Sequence, residues 1–97
     1  MLRIVKMEFK PECVQDFLEM FAAKKSAIRS SKGCMGLKLL QEKSEGNTFF
    51  TYSEWKSEDD LERYRNSELF KSTWAQTKQW FNAKPAAWSV EINQEAN

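Results

Sequence analysis

Histidine is absent from this sequence of 97 residues, which also contains only two cysteines, three glycines and two prolines. The absence of histidine removes the commonest general base, the commonest zinc ligand and the usual proximal haem ligand. The glycines form no phosphate-binding loop, and Cys13 and Cys34 lack the Cys-x-x-Cys spacing of a metal or redox site. We therefore expect no metal, haem or flavin cofactor, and we interpret both cysteines as ordinary thiols.

The sequence has no excess of charge of either sign, because 15 basic and 14 acidic residues are interspersed along it. A chain without a basic patch is not expected to bind nucleic acid or an anionic membrane surface. Long hydrophobic runs are also missing. Arg3, Lys6 and Glu8 interrupt the apolar N-terminus, and no segment approaches the roughly 18 apolar residues of a membrane span. We predict a cytoplasmic protein with no membrane partner.

Aromatic residues, by contrast, are abundant, since they make up 13% of the chain and include four tryptophans. The chain has room for one hydrophobic core, because a second would leave each half under about 50 residues. We predict a single domain over residues 1–93 and a flexible tail over 94–97. So many rings in a small domain indicate a core shared with a partner subunit, a pocket lined by aromatic surface, or both.

The hydrophobic pattern predicts alternating strands and helices. Near the N-terminus, Leu2 and Ile4 fall on one face of a strand and Val5 and Met7 on the other, which indicates a strand covered on both sides. The predicted elements are a strand over 2–9, a helix from 11 to about 30, strands over 34–42 and 48–55, a helix that begins after Ser57 and restarts after Ser67, and a last strand containing Trp88, Val90 and Ile92.

The order β-α-β-β-α-β predicts an α+β fold of the ferredoxin-like type, in which a four-stranded antiparallel sheet carries the helices on one face. The other face cannot remain in water if the strands are apolar on both sides. A second copy of the chain covers that face most simply, because a two-fold axis pairs the same patch with itself. We therefore predict a homodimer.

Several short motifs follow one another at characteristic spacings. They are a proline-started first helix, the turn Ser31-Lys32-Gly33-Cys34, a strand ending in Tyr52-x-x-Trp55, and the helix starts Ser57-Glu58-x-x-Leu61 and Ser67-x-x-Phe70. In this order they resemble the antibiotic biosynthesis monooxygenase (ABM) family over residues 1–92. The resemblance implies a dimeric α+β barrel in which two ferredoxin-like sheets face each other.

The family implied by this resemblance includes small oxygenases that act on quinols and anthrone-like polyketides without metal or flavin, haem-degrading enzymes, and members with no known activity. The haem-degrading branch carries an asparagine in the first strand and a histidine ligand on a helix. Here the strand contains Ile4-Val5-Lys6-Met7 and there is no histidine. The resemblance therefore disfavours haem degradation.

Two residues are the leading site candidates. Trp55 falls on the tryptophan that lines the pocket in several relatives, and it is equally interpretable as a core residue. Tyr64 falls where many relatives have histidine; its hydroxyl can donate a hydrogen bond, but its reference pKa near 10 makes it a poor base. We name Tyr64 as the catalytic candidate, while noting that a purely structural role fits it too. Both residues are expected to converge on a cleft between the helices and the sheet.

The other candidates for substrate contact are aromatic residues on two helical stripes. Phe70 and Trp74 share one face of the last helix, and Phe17 and Phe21 share one face of the first. Core packing is the default interpretation of each. Trp80 lies outside the aromatic stripe of the last helix, which suggests contact with a partner subunit. Glu54 points away from Trp55, toward the dimer interior or its rim, and we expect a solvated or ion-paired carboxylate there.

Two hypotheses of different classes remain. The first is a cofactor-independent monooxygenase that oxidises a quinol or a polycyclic phenolic or anthrone-type substrate. The second is a non-catalytic dimeric module that binds a small aromatic molecule. The lack of histidine counts against the first, whereas the surplus of aromatic residues favours a pocket in both.

Overall fold

Four strands and three helices make up the computed structural model, which describes residues 1–97. The elements are β1 (Leu2–Glu8), α1 (Val14–Arg29), β2 (Cys34–Gln41), β3 (Thr48–Trp55), α2 (Glu58–Arg65), α3 (Glu68–Lys78) and β4 (Ala86–Val90), with a single 3₁₀ turn over Pro11–Cys13 before α1. Residues 91–97 have no regular structure and are exposed.

The strands form one antiparallel sheet in the order β2-β3-β1-β4. The first strand in the sequence is therefore central, and its Val5 pairs with Thr51 of β3 on one side and Ala87 of β4 on the other. With the helices packed against one face of the sheet, this arrangement confirms the predicted ferredoxin-like α+β fold.

The main hydrophobic core lies between the sheet and the helices. Met7 and Phe49 are paired across β1 and β3, and both are buried under Phe17 of α1 and Phe9. The rings of Phe9 and Phe17 are stacked with their centroids 4.1 Å apart. Because β1 alternates, Arg3 shares this helix-facing side with Val5 and Met7.

The opposite face of the sheet carries no helix and presents a patch of large apolar side chains, with Lys6 and Lys38 beside them. Ile4 of β1 lies between Tyr52 and Trp88 in the sheet register, and Phe50 and Leu40 are paired in a neighbouring row. Trp88 is 48% exposed and Leu40 is 45% exposed. We call this surface, defined by Ile4, Leu40, Phe50, Tyr52 and Trp88, the bare sheet face; an isolated chain leaves it in contact with water.

Side-chain caps begin the two later helices as the sequence predicted. The Ser57 hydroxyl accepts a hydrogen bond from the Asp60 backbone N–H at the start of α2, and the Ser67 hydroxyl accepts one from the Phe70 N–H at the start of α3. Each cap satisfies a backbone donor that has no partner within its helix.

Several predicted boundaries were wrong. The last strand is Ala86–Val90, so Ile92 lies outside it, because Leu2, the first residue of β1, already pairs with Val90. The first strand ends at Glu8, and Phe9 instead forms an isolated bridge with Phe81. Minor shifts place the end of β2 at 41 rather than 42 and begin α1 at 14, after the 3₁₀ turn rather than at residue 11.

Trp80 is half-buried and packs against the main core of its own chain. Its carbonyl accepts a hydrogen bond from the Lys10 N–H at 3.0 Å, which holds this segment beside the end of β1. No helix in the structure has the length and apolar character needed to cross a membrane.

Candidate functional site

Trp55, at the end of β3, is only 1% exposed. Its indole Nε1–H donates to the Ser53 hydroxyl at 2.9 Å, so the buried polar group of the ring has a partner. The indole also stacks on the Tyr64 ring of α2, with the centroids 5.1 Å apart and the planes at 27°. The structure therefore brings the two leading candidates into direct contact.

Tyr64 is half-buried between Trp55 and the edge of Phe70, whose centroid lies 5.3 Å away. Burial raises the pKa of Tyr64 to about 12, and the nearby Cys34 sulfur acts in the same direction. The phenol consequently stays protonated at physiological pH. Tyr64 can donate a hydrogen bond to a ligand oxygen but cannot act as a base.

The remaining aromatic candidates continue from this pair. Phe70 and Trp74 on α3 are stacked, with centroids 5.9 Å apart and an interplanar angle of 9°. Phe17 and Phe21 on α1 lie deeper in the core, with centroids 6.0 Å apart. Phe70 and Trp74 are only half-buried, so they present more ring surface to a ligand than the α1 pair does.

A cavity of about 340 Å³ lies between the helices and the sheet. All six candidates line it, and its volume falls in the range of small-molecule pockets. The lining residues are Arg3, Val5, Met7, Phe17, Met20, Phe21, Ile28, Leu37, Thr51, Ser53, Trp55, Leu61, Tyr64, Arg65, Phe70, Thr73, Trp74, Thr77, Pro85, Ala86 and Ala87. Most of these are apolar, so the cavity is suited to a hydrophobic, ring-containing molecule.

Three polar lining residues escaped the sequence analysis. Arg3 and Arg65 contribute the only charged side chains of the wall, and the Thr73 hydroxyl is buried there without a hydrogen-bond partner. The signals were available: Arg3 lies two residues before Val5 and so on the same face of β1, and Thr73 lies three residues after Phe70 on α3. A ligand oxygen in the cavity would give the Thr73 hydroxyl a partner.

The wall contains no carboxylate and no imidazole. Glu54 lies on the side of β3 away from the helices, opposite Leu2 and beside Gly36, and it is exposed, as expected. No group of three or more His, Cys, Asp or Glu side chains is positioned to hold a metal ion. The roles open to the cavity residues are therefore to surround a ligand, to orient it and to form hydrogen bonds with it.

The fold is shared with many solved proteins. The structure of Rv0793 from Mycobacterium tuberculosis superposes with a TM-score of 0.87 at 18% identity, covering 99% of this chain and 97% of that one. A conserved protein from Methanosarcina mazei Go1 gives 0.83 at 24% identity, over 89% and 86% of the two chains. A structure described as an antibiotic biosynthesis monooxygenase gives 0.87 at 16% identity, over 97% and 100%.

No curated protein matches this chain in sequence. At such identities, the solved structures establish the fold alone. The sequence profile described as antibiotic biosynthesis monooxygenase, however, matches residues 1–76, which include β1 through most of α3 and with them every candidate site residue. The chain therefore belongs to the antibiotic biosynthesis monooxygenase family.

Proposed function

We propose that this protein is a cofactor-independent monooxygenase that oxidises a quinol or a polycyclic phenolic or anthrone-type substrate. The observation that carries the proposal is the cavity of about 340 Å³ walled by Trp55, Tyr64, Phe70 and Trp74 in a member of this family. Flat aromatic side chains favour a planar aromatic ligand through stacked and edge-to-face contacts.

The reaction needs an electron-rich substrate because ground-state dioxygen is a triplet and does not react directly with a singlet molecule. A deprotonated phenol or anthrone gives one electron to dioxygen, and the resulting radical pair combines into a peroxide. Loss of water from the protonated peroxide leaves a carbonyl group. One oxygen atom enters the substrate, and the other leaves as water with two hydrogens of the substrate. In an anthrone both come from the oxidised CH2 group, and in a phenol one comes from the oxidised ring carbon and one from the hydroxyl group.

In these reaction steps, the side chains of the protein bind the substrate and keep water away from it. Phe70 and Trp74 hold the rings, Tyr64 donates a hydrogen bond to a substrate oxygen, and the buried Phe17 and Phe21 close the inner end against water. Trp55 fixes the orientation of Tyr64 by stacking on it.

A second candidate function is a module that binds a small aromatic molecule without turnover. The observation in its favour is that no carboxylate or imidazole lines the cavity and that Tyr64 stays protonated, so the wall contains no group to remove a substrate proton. The two functions share the pocket and differ only in whether dioxygen is consumed.

Oxygen uptake separates these functions. The purified protein is incubated with reduced naphthoquinols and anthrones, and dioxygen is followed with an electrode beside substrate loss. The proposal expects the protein to consume one dioxygen per substrate molecule without added metal or flavin. The purified protein should contain neither a metal ion nor a flavin at one per chain. Binding of these compounds without uptake would establish the binding module instead.

Replacing Tyr64 by phenylalanine removes one hydroxyl with little change in shape. We expect turnover to fall about two- to thirteenfold, because one hydrogen bond of about 0.5–1.5 kcal/mol to the substrate is lost. Tyr52→Phe is the matched control, since Tyr52 lies on the bare sheet face, away from the cavity. Unchanged affinity and turnover in Tyr64→Phe would assign Tyr64 to packing only.

We also propose that a second copy of the chain covers the bare sheet face. Exposed apolar side chains such as Trp88 and Leu40 on a regular sheet favour a partner of the same shape and chemistry. Sedimentation equilibrium at micromolar concentration should give twice the 11.4 kDa mass of one chain.

Ile4→Lys is expected to shift the assembly to monomers, since it places a charge in the middle of this face. Gln15→Lys adds the same charge on an exposed part of α1 and should leave the dimer intact. A stable monomer of the unmodified protein would remove this proposal and the barrel with it.

A further inference from the structure

Arg3 places a cation on the side of the sheet that faces the cavity. It lies on β1 beside Val5, and its Nη1 donates a hydrogen bond to the Ser89 hydroxyl of β4 at 3.0 Å. Arg3 belongs to neither of the two ion pairs in the structure, which join Arg63 to Asp60 and Arg65 to Glu62. A guanidinium has several N–H donors in a planar fork, so most of those on Arg3 remain available.

Arg65 adds a second positive charge to the same cavity wall. Burial lowers the pKa of Arg3 and the charge of Arg65 lowers it further, while Glu58 and Glu62 act in the opposite direction with smaller effects. Glu62 is already engaged with Arg65 at 3.2 Å. The positive charge on Arg3 is therefore only partly compensated by the protein.

The rest of the cavity wall offers no negative charge, because Arg3 and Arg65 are its only charged residues. The guanidinium donors of Arg3 that have no protein acceptor can therefore form charge-assisted hydrogen bonds with a ligand anion. The guanidinium fork matches the two oxygens of a carboxylate and also accommodates a single phenolate oxygen. The aromatic wall formed by Tyr64, Phe70 and Trp74 would meanwhile hold the ring system.

We propose that Arg3, with Arg65 beside it, binds an anionic oxygen of a planar aromatic ligand, and that the natural ligand is an aromatic anion. This inference rests on the proposed function insofar as both place an aromatic molecule in the same cavity. It identifies Arg3 as the residue that stabilises the ionised form of the ligand, and it leaves Tyr64 as a neutral donor. If the anion is a phenolate, the phenolic proton is released to bulk water when the ligand binds.

A pair of probes of the same shape tests the charge preference. Binding of 2-naphthoate and of its neutral amide, 2-naphthamide, is measured by calorimetry at neutral pH. The unmodified protein should bind the naphthoate about tenfold more tightly, the advantage expected of a partly exposed charge-assisted hydrogen bond. Arg3→Gln should remove most of this preference while leaving the naphthamide affinity unchanged, and Arg3→Lys should retain a larger part of it.

Two further variants locate the effect. Arg65→Gln should reduce the preference without abolishing it, whereas Lys71→Gln, which removes an exposed positive charge on α3 outside the cavity wall, should leave it intact. Thermal unfolding of each variant, followed in parallel, identifies any loss of binding that comes from misfolding. A preference that is undiminished in Arg3→Gln, or its absence from the unmodified protein, would overturn the proposal.

A nitronaphthol whose ionised form absorbs visible light distinguishes the two sources of the anion. Binding to the unmodified protein should lower the pKa of this phenol, because a nearby cation favours its charged form. In Arg3→Gln most of this lowering should be lost. A naphthoate preference without this shift supports the anion site and identifies a carboxylate as its ligand.

None of these measurements depends on turnover. An intact anion preference without oxygen uptake would refute the monooxygenase and retain the anion site. Naphthamide binding with no preference for naphthoate would refute the anion site alone. Failure of both naphthalene probes and the nitronaphthol to bind would overturn this proposal together with the assignment of the cavity.

Discussion

Replacing Trp55 by alanine is expected to lower the free energy of unfolding by about 3–5 kcal/mol, because a fully buried indole leaves a large void. The same change should weaken the binding of an aromatic ligand by about 1–3 kcal/mol, since Tyr64 loses the ring on which it stacks. Chemical denaturation measures the first effect. Calorimetry with 2-naphthamide, under conditions where the variant is folded, measures the second.

Trp55→Phe is the control for ring packing. It retains an aromatic face for Tyr64 but removes the Nε1–H bond to the Ser53 hydroxyl, so its loss of stability should be smaller than that of Trp55→Ala. A Trp55→Ala protein that unfolds at the same denaturant concentration as the unmodified one would show that the indole is not a core residue.

Gly33→Ala is expected to destabilise the protein by about 2–4 kcal/mol through two separate costs. Gly33 has a φ of +84°, where an L side chain is strained. A Cβ atom there would also overlap the buried side chain of Asp60. Hydrogen bonds from Arg63 and Ser57 hold that carboxylate in place and keep the pKa of Asp60 below its ordinary value.

Gly46→Ala separates the two costs. Gly46 also has a positive φ, of +81°, but its nearest neighbour for an added Cβ is the flexible Gln41 amide at 3.4 Å. It should therefore lose only the backbone contribution of about 1–2 kcal/mol. Denaturation midpoints compare the variants, and equal losses would show that the contact with Asp60 contributes nothing. Because Asp60 lies in the first turn of α2, the Gly33 variant should also disturb Tyr64 further along that helix.

The sequence predicted those features that depend on local chemistry. The β3 limits at Thr48 and Trp55 agree with the structure because a turn and a helix cap border the strand on its two sides. Ser57 was identified as a helix start from its side chain, since capping is a contact within one turn, and the restart at Ser67 from the interruption of the helical pattern at residues 66–68. The convergence of Trp55 and Tyr64 followed from the short connection between β3 and α2.

Features that depend on distant pairing were missed. The limits of β4 are set by its register on β1, where Leu2 pairs with Val90, and no local signal in the alternation of residues 88–92 excludes Ile92. Alternation placed Arg3 on the side of Val5, but its position in a cavity wall beside Arg65 depends on how α2 crosses the sheet. Burial of Asp60 likewise depends on the approach of the Gly33 turn.

The central position of β1 in the sheet has a consequence for the order of folding. The β2-β3 pair is a local hairpin, whereas β1 must find β4 at the far end of the chain, and pairings of such long sequence separation form slowly. Pro85 and Ala87, at the start of β4, also line the cavity. During synthesis, the residues of the aromatic wall emerge before β4 does. Docking of β4 therefore closes the cavity, and a ligand bound there would resist the detachment of that strand.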